Sequence, residues 1–167
     1  MDGVRDYGSG APPNPIGEPS EREVMPSTTH GTFDDLLASA KPALRPVCVS
    51  LRREILALDR NCTAIIWPKQ KIASFGIGPR KMSDHFAYIA VYAAHVNLGF
   101  YHGTALTDRA AVLKGSGKKL RHISFRDVAS TKTPAIAALL RQAIADRRRN
   151  VRSANARPGR RQPAAGP

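Results

Sequence analysis

Residues 92–124 read YAAHVNLGFYHGTALTDRAAVLKGSGKKLRHIS. Within it, Val96, Leu98 and Phe100 alternate with His95, Asn97, Gly99 and Tyr101. A period of two predicts a strand with one apolar face, turned to helices, and one wetter face. Phe86–Tyr92 is a second apolar run, and Ala93-Ala94 leaves room for a tight connection, so the pair predicts a hairpin. Thr104 or Thr107 can cap a helix through Leu113, with Asp108 in its first turn and Gly115 as the residue that ends it. Arg121–Phe125 predicts a further strand.

Upstream, Thr32-Phe33-Asp34-Asp35 has the form of an N-cap with an acid at the third helical position. Phe33, Leu36, Leu37 and Ala40 share one helical face, and Pro42 and Pro46 interrupt. Leu44, Val47, Leu51, Ile55 and Leu58 recur at steps of three and four, while Arg45, Arg52, Arg53 and Arg60 face elsewhere; this predicts a surface helix. Thr63–Trp67 and Lys71–Ile77 predict two more strands. Downstream, Thr133-Pro134 opens a last helix with the apolar stripe Ile136, Leu139, Leu140, Ala143 and Ile144. The order α, α, four β, α, β, α predicts an α+β fold: a twisted antiparallel sheet of about five strands with helices packed on one face.

The ends are poor core material. Residues 1–31 are rich in Pro and Gly and predict a disordered leader. Residues 32–146 form the α+β domain, and 147–167 predict a disordered Arg-rich tail. The net charge of +13 is unevenly spread: residues 33–145 hold 17 Lys and Arg against seven acids. The body is basic in its own right, so anionic partners are favoured over free metal cations. Cys48 and Cys62 are predicted to pack as small apolar residues. No secretory or membrane-spanning run is present in the sequence, which predicts a cytoplasmic protein without a membrane partner.

The chemistry concentrates in Lys114-Gly115-Ser116-Gly117-Lys118-Lys119. Two glycines that reach positive φ allow successive backbone N–H groups to converge, and Lys114, Lys118, Lys119 and Arg121 add charge. With His95, Tyr101 and His122 on adjoining strands, the turn is a candidate site for a phosphate- or carboxylate-bearing ligand. It is not a P-loop, because GxxxxGK[ST] is absent. The plain alternative is a turn with solvated lysines. His95 and His102 differ by an odd step and fall on opposite strand faces, so a three-histidine metal site with His122 is not expected. Neither a nucleophile elbow nor a spaced carboxylate pair is present, which predicts a non-enzymatic binder with no cofactor. The tail from Arg147 to Arg161 offers weak, sequence-blind nucleic-acid contact, since it has no aromatic residue for stacking.

The segments HVNLGFYHGTALTD and AAVLKGSGKKLRHISF, with FDDLLAS more distantly, resemble the YdhG-like domain family. The pattern falls on His95, Val96, Leu98, Phe100, Asp108, Leu113, Lys114, Gly115, Gly117, Lys118, Arg121, His122 and Ile123. The resemblance implies the α+β fold across residues 32–145. One branch of that family is a bacterial frataxin-like iron chaperone, so the resemblance also implies iron binding and delivery as an alternative function. Ile66-Trp67-Pro68-Lys69 stands where the family has glycine-methionine-proline. The helices lack an acidic ridge, with Asp34 and Asp35 on the first and Glu54 and Asp59 among the cations of the second. Iron donation draws on carboxylates and imidazoles, which weakens that implication.

Overall fold

A computed structural model describes residues 30–156. Helix α1 (Phe33–Ser39) opens with the expected capping box: the Thr32 hydroxyl accepts from the Asp35 N–H, and the Asp35 carboxylate accepts from the Thr32 N–H. That bond to the Thr32 backbone holds Asp35 below its ordinary range. Pro42–Leu44 makes a single 3₁₀ turn and passes into α2 (Arg45–Leu58). The chain then runs through β1 (Thr63–Trp67), β2 (Ile72–Gly76), the short helix α3 (Lys81–Asp84), β3 (His85–Val91), β4 (Val96–Phe100), β5 (Arg121–Phe125) and α4 (Pro134–Ala156).

The five strands pair antiparallel in chain order, β1-β2-β3-β4-β5. One row across the sheet is Ser74, Tyr88, Gly99 and His122; the next is Ile72, Ala90, Asn97 and Ser124. The face opposite to these rows packs Ala73, Phe75, Ala87, Ile89, Val96, Leu98, Phe100, Ile123 and Phe125 against Leu36, Val47, Leu51, Ile55, Ile136, Leu139 and Leu140 from α1, α2 and α4. The fold is therefore the expected α+β layer, with helices on one face of an antiparallel sheet. Cys48 and Cys62 are free and buried, and burial pushes the Cys48 thiol up to about 11.

Three local expectations are corrected. The first is the helix between β4 and β5. Gly103–Ala105 makes one 3₁₀ turn and the chain then runs irregularly to Lys114. Side-chain bonds outcompete helical ones here. Gln142 of α4 receives the Thr107 N–H on its Oε1 and donates its Nε2 to the Thr107 carbonyl. Asp108 Oδ2 accepts the Leu113 N–H at 2.7 Å, and Ala111 sits at φ 53°. Asp108 thus ties a loop rather than starting a helix.

The second correction is the wetter face of β4. Its centre is closed by rings. Tyr88 lies over Gly99, and a Cβ there would collide with the Tyr88 ring. Tyr101 sits 5.1 Å from Tyr88, ring to ring, and is 4% exposed.

The third concerns the end of the domain. Helix α4 does not stop at residue 146 but continues to Ala156. Arg147 turns inward, 8% exposed, and donates to the Ser83 carbonyl and to Asp146. Arg148 pairs with Asp59 at 3.0 Å. The leader over residues 1–29 and the tail beyond residue 156 lie outside the described residues.

Candidate functional site

Gly117, Lys118, Lys119 and Arg121 are placed differently from the sequence expectation. Gly115 takes φ 113°, but Gly117 does not reach positive φ. No concavity of successive N–H groups is therefore built on two such glycines. The carbonyls of the turn are used instead. Lys119 accepts from the Thr104 N–H and Lys118 from the Thr104 hydroxyl, at 3.2 and 3.4 Å. Arg121 folds back on the turn and donates to the carbonyls of Gly117 and Leu120. Its charge closes the loop instead of facing a ligand.

Lys114 is placed otherwise. Its backbone pairs with His122 in both directions, at 2.8 and 2.9 Å, which extends the edge of the sheet by one bridge beside β5. His122 lies alongside Gly115, which holds a positive φ of 113°. From this edge Lys114 reaches an open basin of about 500 Å³ lined by His95, Lys114, Ser124, Arg126, Asp127 and Ser130. His95 comes from the β3–β4 turn, where the Tyr92 N–H donates to the His95 carbonyl. Ser124 and Arg126 come from the end of β5. Asp127 and Ser130 belong to the following turn, in which Asp127 Oδ1 accepts the Ser130 N–H.

The antiparallel register explains the gathering. Val96 pairs with Phe125, so the start of β4 and the end of β5 lie side by side. His95 and Arg126 then flank that pair, one residue beyond it on each strand. Two cations and an imidazole face one carboxylate that already carries a hydrogen bond. Sequence reasoning identified His95 and Lys114 but missed Ser124, Arg126, Asp127 and Ser130. The D-x-x-S spacing at Asp127 and Ser130 is a recognisable turn signal that could have drawn attention there.

Tyr101 does not belong to this site. Its hydroxyl shares a hydrogen bond with Ser74 Oγ at 2.9 Å, and Ser74 Oγ bonds His85 Nδ1. Both partners are fully buried. Burial raises the Tyr101 phenol above its ordinary value, against the opposing pull of the Ser74 bond. Burial likewise pushes His85 below the ordinary imidazole value of 6.5, tempered by the Gly78 backbone and Asp84. Its Nε2 has no hydrogen-bond partner among the described residues. No local pattern marks this histidine, because it stands just before the apolar run that begins at Phe86.

His102 lies apart from both groups. Its Nε2 meets the Met82 carbonyl at 3.1 Å, and burial lowers its pKa. The three histidines considered for metal binding are thus in three different settings. Among the described residues no three His, Cys, Asp or Glu side chains come together to hold a metal ion.

A second concavity, about 390 Å³, lies between the 107–110 loop and α4. Two of its polar side chains are engaged in holding the loop. Gln142 clamps Thr107, and Asp108 holds Leu113 while presenting an unpartnered, buried Oδ1. This groove has one cation, Arg109, beside that carboxylate, against two cations and an imidazole beside Asp127 in the basin at β5, so it suits an anion less well.

Among the described residues no helix is long and apolar enough to cross a membrane. Compared with protein-family profiles, curated proteins and solved structures, the chain matches none.

Proposed function

We propose that this protein is a non-enzymatic binder of a small anionic ligand, or of an acidic group on a partner protein, at the basin beside β5. The observation that carries this is the convergence of Lys114, bridged to the outer edge of β5, and Arg126, just past the end of β5, on a cavity that His95 also lines. Cations at the wall of a concave site act at closer range and with less screening than scattered surface charges. The His95 imidazole can supply an orienting hydrogen bond, while the Ser124 hydroxyl is committed to Asn97 Oδ1.

The YdhG-like resemblance remains our family proposal, resting on its motifs and on a compatible fold. The free, buried cysteines support a cytoplasmic setting. Iron delivery receives no comparable support, because carboxylates and imidazoles are dispersed among the described residues. Tail-mediated nucleic-acid contact is weaker than its composition suggests, since Arg147 is buried and Arg148 is paired.

The test is a titration of the full chain with inorganic phosphate and with citrate, followed by amide shifts. Shifts confined to residues 95, 114 and 124–130, and abolished by the Lys114→Glu/Arg126→Glu pair, are expected. Absence of any shift with either anion overturns the proposal.

A further inference from the structure

The basin has an aromatic wall extension. Tyr92 and His95 stack with ring centroids 4.8 Å apart and planes 12° from parallel. His95 lines the basin, so Tyr92 stands one ring away from Lys114 and Arg126. Tyr92 is 51% exposed. A stacked pair with an exposed outer ring, next to cations, has the two elements that hold a nucleotide: a π surface for a base and positive charge for a phosphate.

Two further observations narrow the ligand. The cavity volume of about 500 Å³ lies within the ~300–1,000 Å³ of ordinary small-molecule sites and exceeds what one phosphate needs. Asp127 also lines the basin, with one oxygen engaged by Ser130. A site for a bare anion gains nothing from a carboxylate. A ligand that carries hydroxyl or amine donors beside its phosphate does gain, because an ionised carboxylate only accepts hydrogen bonds.

We propose that the ligand is a nucleotide, free or as one unit of a single-stranded nucleic acid. Lys114 and Arg126 hold its phosphate, Asp127 accepts from its sugar or base, and the base extends the Tyr92–His95 stack. This rests on the anion-binding reading of the same basin.

The full chain is titrated with inorganic phosphate, ribose phosphate, AMP and a short single-stranded oligonucleotide. AMP is expected to bind at least about fivefold tighter than ribose phosphate, the low end of one base–aromatic stack. Tyr92→Ala should remove that advantage, so that AMP and ribose phosphate bind the variant alike, while Tyr92→Phe should keep it. An oligonucleotide that outbinds AMP, with affinity falling steeply in salt and dependent on Tyr92, assigns the nucleotide to a strand. Equal affinity for both assigns it to the free form. If ribose phosphate and AMP bind equally in the native chain and the oligonucleotide is insensitive to Tyr92→Ala, the nucleotide is excluded while anion binding stands. If none of the four binds, both conclusions fall.

Discussion

The ring of Tyr88 on β3 occupies the space in which a side chain at Gly99 on β4 would project. The two residues are direct cross-strand partners, and the glycine lets the tyrosine lie flat against the sheet. This closes the face opposite the helices. Gly99→Ala should push Tyr88 off the sheet and disturb its contact with Tyr101, at a cost of about 1–3 kcal/mol from overpacking. Chemical denaturation reads the loss directly. A variant as stable as the native protein would mean that Tyr88 has somewhere else to go.

The Tyr101–Ser74–His85 chain gives the protein an acid-sensitive core. His85 is neutral when buried and titrates below 6.5 in the folded state. The unfolded chain binds a proton at the ordinary value, so between the two pKa values the unfolded state carries more protons. Stability is then fully present above about pH 6.5 and declines as pH falls through that window. His102 shifts in the same direction and adds to the slope. Imidazole titration by NMR should place both histidines below 6.5. A His85 resonance that titrates above that value would remove this account.

How much of this was legible depends on how far apart the interacting residues lie in the chain. Val96, Leu98 and Phe100 announce their strand and its core face without help, because alternation is a local signal. So does the capping box at Thr32 and Asp35. Alternation says which face Tyr101 takes, but not that Tyr88 will cover that face. The loop after β4 misleads for a similar reason: its alanines favour a helix, and the Gln142 clamp that prevents one is 35 residues downstream. His95 and Lys114 could be picked out by type. Arg126 could not, because its place in the basin follows from strand register rather than from any motif.

Gln142 should accordingly be the residue on which the 103–113 loop depends. Gln142→Ala removes both bonds to Thr107, at a cost of about 1–2 kcal/mol for two partly exposed hydrogen bonds. Hydrogen exchange should accelerate across residues 106–113 and stay unchanged in β1 and β2. Uniform acceleration through the sheet would instead mean that the clamp supports the whole domain.

The last prediction concerns where the folded unit ends. Arg147 joins α4 to the carbonyl at Ser83 in α3, and Arg148 joins it to Asp59 just past α2. The Asp59 side chain is 8% exposed while Arg148 is half exposed, so the buried carboxylate is the partner with more to lose. A chain cut after residue 146 leaves the Ser83 carbonyl and Asp59 without these donors. Leaving such groups unsatisfied costs about 1–3 kcal/mol each, the higher figure applying to a charged group with little access to water. A chain cut after Ala156 keeps both contacts. The shorter chain should therefore melt lower by several degrees, at about 2–8 °C for each kcal/mol, and the longer one should match the full protein. If both truncations melt together, the inward turn of Arg147 contributes nothing to the fold, and the basic segment from residue 147 onward is free to act as an independent tail.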